Sequence, residues 1–158
     1  MEKGDYTQLA RDYSRYRPSY NKEVVRILIN ATEKPAARLI VADVGAGTGI
    51  FTSCMIGAGV KNIVAVEPNL NMREAGRENL KNKVEFIDGS AESTSLGSKK
   101  YDLVTMASSF HWPKTNDALK EFDRILSNKG VFAALWNPRL TDRSRAETEV
   151  QRLLAGKY

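Results

Sequence analysis

The residues with the clearest chemical meaning are Asp43-Val44-Gly45-Ala46-Gly47-Thr48-Gly49. Alternating glycines let a backbone turn sharply and come close to a bound group, and they weaken a connection that has no such purpose. A phosphate-cradling P-loop is excluded, because no Gly-Lys-Ser/Thr follows at the required spacing. A dinucleotide site would also place glycines here, with an acid about 20 residues further on for the ribose hydroxyls, and Glu67 meets that need. Two details favour a different nucleoside. Ile50 stands where the third dinucleotide glycine belongs, and Asp43 precedes the first glycine by two positions.

The other reactive groups are few. His111 is the only histidine, and a histidine is the side chain best suited to exchanging a proton near neutral pH. Cys54, the single cysteine, sits beside Met55 and Ile56 and reads as a small buried hydrophobe rather than a nucleophile. One histidine and one cysteine do not assemble a metal site, and no nucleophile-elbow pattern supports a Ser-His-Asp triad. Asp102, at the amino end of a strand, reads as structural.

These groups need elements to hold them. Residues 5–16 and 19–32 read as helices separated at Pro18, with Ser19 capping the second. Residues 38–44 are short, apolar and β-branched, as a strand buried on both faces should be. Strand and helix then alternate. The pattern predicts a helix from Thr48 to Ala58, a strand over 62–67, a helix over 70–80 and a strand over 84–88. A polar loop with one helical turn over 89–99, a strand over 101–107, a helix over 113–126 and a strand over 131–136 complete the core. A last helix is expected over 144–154. Such alternation implies an α/β fold with a doubly wound, mostly parallel sheet of five strands.

Composition agrees with a single folded domain. The chain has 158 residues, 42% of them hydrophobic and 27% charged, which argues against a disordered, fibrous or membrane-spanning protein. The net charge of +5 leaves nucleic acid, anionic membranes and acidic small molecules all open. No segment resembles a signal peptide and no disulfide can form within the chain, so the expected location is cytoplasmic.

Several segments in fixed order carry a resemblance to a known family. They are Tyr13-Ser14-Arg15-Tyr16-Arg17-Pro18-Ser19-Tyr20, Asp43 to Gly49, Val66-Glu67-Pro68-Asn69 with Met72, Asp88-Gly89-Ser90-Ala91-Glu92, and Ser108-Ser109-Phe110-His111-Trp112. Over about residues 6–136 the chain resembles the class I S-adenosylmethionine-dependent methyltransferases, within them the small-molecule group that includes the trans-aconitate methyltransferase-like proteins.

The resemblance implies a Rossmann-like fold and S-adenosylmethionine as cofactor. Gly45, Gly47 and Gly49 would lie against its methionine part, with Asp43 offsetting the positive charges. Glu67 would accept from the ribose hydroxyls, Leu70 and Met72 would sandwich adenine, and Ser90, Ala91 and Glu92 would read its edge. Ser90 stands where the family's usual acid would be. Ser108 is a further cofactor contact, and His111 lines the acceptor pocket or acts as a base. Tyr13 and Arg17 would belong to a helical lid over residues 1–34, in front of a core over 38–136. That competing use disfavours nucleic acid as their partner.

In its complete form such a protein methylates a small-molecule acceptor. Two other readings stay open: a nicotinamide-dependent oxidoreductase, and a module that binds S-adenosylmethionine without catalysis. Resembling proteins continue past the fifth strand into helices and a closing strand pair. Here residues 137–158 offer only the start of that region, so residues 131–136 are expected to form an apolar edge. Truncation, self-association or a partner strand would each account for it.

Overall fold

A computed structural model describes residues 18–137. Helix α1 spans Lys22–Ala31, followed by a 3-10 turn at Ala36–Arg38 and strand β1 at Ile40–Val44. Then come α2 (Ile50–Gly57), β2 (Asn62–Val66), α3 (Leu70–Asn79), β3 (Glu85–Ile87), β4 (Tyr101–Ala107), α4 (Thr115–Ile125) and β5 (Leu126–Leu135). The five strands form one sheet in the order β3-β2-β1-β4-β5, and every pairing is parallel.

Strand alternation sorts the core into two layers. Val41 and Leu103 face the layer holding Val25 and Ile29 of α1, Phe51 and Met55 of α2, and Leu80 after α3. Ala42, Val44, Val104 and Met106 face the layer of Ala118, Phe122 and Ile125 from α4. The same period assigns Asp43 and Thr105, which pair across β1 and β4, to the α2 side. Because the chain winds outward from β1 to β3 and resumes at β4 beside β1, the carboxyl ends of β1 and β4 diverge into a cleft.

The amino ends of the strands are closed by Asp102, as its position suggested. It is buried, accepts from Lys34 Nζ at 2.6 Å and from the Ile40 backbone N–H at 3.2 Å, and receives the Ser127 hydroxyl at 3.4 Å. One carboxylate thus joins β1, β4, β5 and the segment before β1.

Several boundaries differ from the sequence expectation. The cap of α1 is Asn21, whose side chain accepts from Glu23 N, rather than Ser19. Thr48 does not cap α2; Gly49 occupies that position with φ +80, which a glycine reaches without steric penalty. No helical turn forms over 89–99. Instead Ser90 and Ser93 exchange backbone hydrogen bonds, and Glu121 of α4 accepts from the Thr94 amide at 2.9 Å. Beside it, the Arg124 guanidinium holds the Glu121 carboxyl down to about 2.

Strand β5 starts five residues earlier than expected. Leu126 already pairs with Tyr101, and Val131 pairs with Leu103, so Asn128-Lys129-Gly130, expected to end the preceding helix, is an irregularity inside the strand. A Cβ at Gly130 would lie 2.8 Å from Tyr101 O, which explains the glycine. Among the described residues β5 is hydrogen-bonded to a strand on one side only, so the expected edge is present. No described helix is long and apolar enough to cross a membrane.

Helix α3 packs against β3 with Gly76 presenting its bare backbone to the Phe86 ring, where a Cβ would clash with Cζ. Gly76→Ala is expected to cost about 1–3 kcal/mol, the usual range for forcing volume into a packed site, as measured by urea unfolding. Phe86→Leu in the same chain should recover part of that loss.

Candidate functional site

The loop after β1 is shaped by its two neighbours. Gly45 N and Ala46 N both donate to Val66 O at the end of β2, at 2.8 and 3.1 Å. Gly45 has φ +65, and a Cβ there would sit 2.7 Å from Ser109 Oγ. Gly47 also has a positive φ, +56, but a Cβ there would meet no atom within 4 Å. Its alpha carbon therefore faces open space, which is the cavity itself.

That cavity measures about 720 Å³ and lies at the divergence of β1 and β4. The size suits a ligand of nucleoside dimensions. Gly45, Gly47, Glu67, Met72, Ser90, Ala91 and Glu92 all line it, as do Ser108 and His111. Glu67 follows β2 and is buried, with Oε2 accepting from Gly47 N at 2.8 Å and Oε1 from Asn69 N at 3.0 Å. Each oxygen keeps capacity for another donor. Burial pushes the Glu67 carboxyl above its ordinary value, opposed by the two amides and by Arg73.

Arg73 holds the turn that carries Glu67. Its Nη1 donates to Glu67 O at 2.7 Å, to Pro68 O at 2.9 Å and to Asp88 Oδ1 at 3.0 Å. Asn69 caps α3 through a bond from Met72 N at 3.1 Å. On the neighbouring loop, burial raises the Glu92 carboxyl, but bonds from Lys114 N, its own backbone and Ser90 outweigh this and hold it below the usual range.

The β4 side supplies hydroxyls and rings. Ser108 sits at φ +57, a rare conformation for a residue with a side chain, with its amide bonded to Leu135 O at 2.7 Å. Its Oγ lies 2.8 Å from the Tyr20 hydroxyl. The His111 ring packs on Trp112 with centroids 4.6 Å apart. Trp112 and Trp136 both reach the cavity.

Two expected contacts are placed elsewhere, and a third reaches the cavity from beneath. Leu70 is 59% exposed and does not line the cavity, because two helical residues turn it about 200° away from Met72. The expected Leu70–Met72 sandwich does not form. Gly49 faces Leu80 and Phe86 rather than the cavity, so its role here is close packing. Asp43 reaches the cavity wall, but it is only 1% exposed and both oxygens are already engaged, by Thr52 Oγ1 at 2.6 Å and Thr105 Oγ1 at 2.9 Å. Tyr13 and Arg17 lie outside the described residues.

The sequence reading missed Thr48 as a cavity residue. The residue lines the cavity, and its buried hydroxyl has no hydrogen-bond partner among the described residues. A threonine between two loop glycines was the available signal. Trp136 was read only as part of a strand edge, although its position just past the carboxyl end of β5 places it at the cleft.

Burial raises the Asp43 carboxyl from 3.8 to about 6, against the two threonine hydroxyls, with Glu67 adding to the rise. Across that window the folded chain keeps a proton that the unfolded chain has lost, so Asp43 makes stability fall as pH rises, and the loss is complete above about 6. The expected size is on the order of 2–3 kcal/mol. Asp43→Asn should flatten this slope, measured as urea unfolding at about pH 4 and about pH 7.

The comparisons with known proteins fit this geometry. The sequence model of the family described as Methyltransferase domain matches residues 42–134, more than half of the chain. An uncharacterised methyltransferase of Mycobacterium tuberculosis is 35% identical over 127 residues, covering 80% of this chain and 49% of that protein. The ubiquinone/menaquinone biosynthesis C-methyltransferase of Rhodopseudomonas palustris is 34% identical over 102 residues, covering 59% of this chain and 40% of that protein. A crystal structure from Methanococcus maripaludis, described as an S-adenosylmethionine-dependent methyltransferase, superposes with a TM-score of 0.75 at 18% identity. It covers 99% of this chain and 75% of that one, and supports the fold. The chain spans about half the length of the curated relatives it matches. Despite that shorter span, the chain belongs to the methyltransferase domain family, whose cofactor is S-adenosylmethionine.

Proposed function

We propose that the cavity binds S-adenosylmethionine and that the complete protein transfers its methyl group to a small molecule. The carrying observation is the pairing of Gly47 with Glu67. An open-faced glycine at φ +56 sits beside a buried carboxylate that fixes it through the amide, at the switch point of a parallel sheet. The chain's own residues fit the cofactor in three further ways. The ionised groups among the described lining residues are all acidic, which suits a cofactor with a sulfonium and an ammonium group. Thr48 offers a buried hydroxyl that lacks a partner. Met72 and Ala91 supply apolar surface for a base.

In this reading Gly45 and Gly47 admit the methionine part, and Glu67 accepts from the ribose. Asp43 acts from beneath the loop, through its charge rather than by direct contact. Ser90, Ala91 and Glu92 border the adenine. When bound, the cofactor supplies an activated methyl group with a good leaving group. The protein's share is then orientation and exclusion of water. His111 lines the acceptor side and is available to take a proton where the acceptor carries one. A small-molecule acceptor is supported by the quinone-biosynthesis relative and by the resemblance of residues 108–112 to the trans-aconitate methyltransferase-like proteins.

A thermal melt tests the cofactor. S-adenosylmethionine at about 100 times its dissociation constant should raise the midpoint by roughly 5–11 °C, and NAD should not. Glu67→Gln should weaken binding by about tenfold to a hundredfold, the loss of one charged hydrogen bond. An unmoved midpoint would overturn the reading. Because a cationic ligand favours ionised Asp43, affinity should fall as pH drops through about 6, and Asp43→Asn should lose that dependence in a calorimetric titration.

A further inference from the structure

The chain contains two tryptophans, and both line this one cavity. Trp112 is 48% and Trp136 54% exposed, although they follow different strands, β4 and β5. An edge position accounts for Trp136 alone. β4 lies inside the sheet, between β1 and β5, so the exposure of Trp112 has no such cause. Large rings left open to a concave site mark a ligand surface rather than unfinished packing.

Charge narrows what the surface accepts. Among the described residues lining the cavity there is no Lys or Arg, although the described residues hold 15 of them, while Asp43, Glu67 and Glu92 are all acids. An anionic acceptor would have to pass Asp43, Glu67 and Glu92 with the cofactor's own positive charge as its one counter-ion among the described lining residues. A cationic acceptor would meet the sulfonium, which it must approach to about 3–3.5 Å for transfer. A neutral ring avoids both penalties, and its π face is attracted to the sulfonium.

We infer that the acceptor is an uncharged aromatic ring bearing a hydroxyl group, held on Trp112 and Trp136. This rests on the cofactor reading above. The polar groups at the same end suit such a hydroxyl. The Tyr20–Ser108 hydroxyl pair and His111, braced on Trp112, can hydrogen-bond it. In the transfer the acceptor oxygen forms the new O–C bond while the C–S bond breaks and leaves its electron pair on sulfur. The hydroxyl proton passes to His111 or to water.

The tryptophans make the test direct, since intrinsic fluorescence excited at the red edge of tryptophan absorption reports only the cavity mouth. The full chain, saturated with S-adenosylhomocysteine, is titrated with p-cresol, p-toluate and p-methylbenzylamine. Saturable quenching by p-cresol at about tenfold higher affinity than either charged probe is expected. Trp112→Ala and Trp136→Ala should each weaken it by about tenfold, the scale of a lost aromatic stack, while the corresponding Phe variants retain it. Equal or tighter binding of p-toluate would overturn the inference, as would absence of saturable quenching by p-cresol. S-adenosylhomocysteine must itself raise the melting midpoint in the same samples. If it does not, the cofactor reading fails and this inference falls with it; if it does, a negative p-cresol result overturns the acceptor class alone.

Discussion

A carboxylate buried under the first glycine loop ties the functional end of this protein together. Asp43 bonds Thr52 of α2 and Thr105 of β4, so one side chain links the central strand, the helix that follows it and the strand across the switch point. Placing an acid there is costly, as its elevation to about 6 reflects. A hydrophobic residue of similar size would remove that cost, but it would leave both threonine hydroxyls without acceptors. The geometry of the cleft depends on this link because β1 and β4 are the strands whose ends diverge to form it.

Glu67 and Arg73 extend the same logic along the sheet. Glu67 fastens the glycine loop to the start of α3 by accepting from Gly47 and Asn69, and Arg73 fastens the Glu67 backbone to Asp88 after β3. Three consecutive strand ends, β1, β2 and β3, are thus joined by charged side chains bonded largely to backbone. Such bonds hold backbone positions directly, and a shallow cradle of amides and alpha carbons needs that more than it needs side-chain packing.

Much of this was legible in the sequence, for physical reasons that differ by element. The strands read clearly because the central ones, Ile40–Val44 and Tyr101–Ala107, are buried on both faces and so are mostly apolar. Residues fixed to strand ends, such as Gly47, Glu67 and Ser108, could be placed once the strands were known. What failed were features set by the angle around a helix or by tertiary contact. Leu70 and Met72 are near neighbours in sequence, yet they face apart on α3. Ser19 and Thr48 have capping chemistry, but Asn21, whose side chain accepts from Glu23 N, and Gly49, at φ +80, hold the cap positions. The early start of β5 depends on Gly130 passing close to Tyr101, a contact no local pattern encodes.

The Asp102 cluster lies at the opposite end of the same strands, where Lys34, Ile40 and Ser127 converge. Its separation from the cleft divides labour along the strand axis. Changes at the amino ends act on folding at a distance from the cleft, whereas a change at the carboxyl ends, as at Asp43, acts on folding and recognition together. Stability can therefore drift from the Asp102 end without touching recognition, while the reverse does not hold.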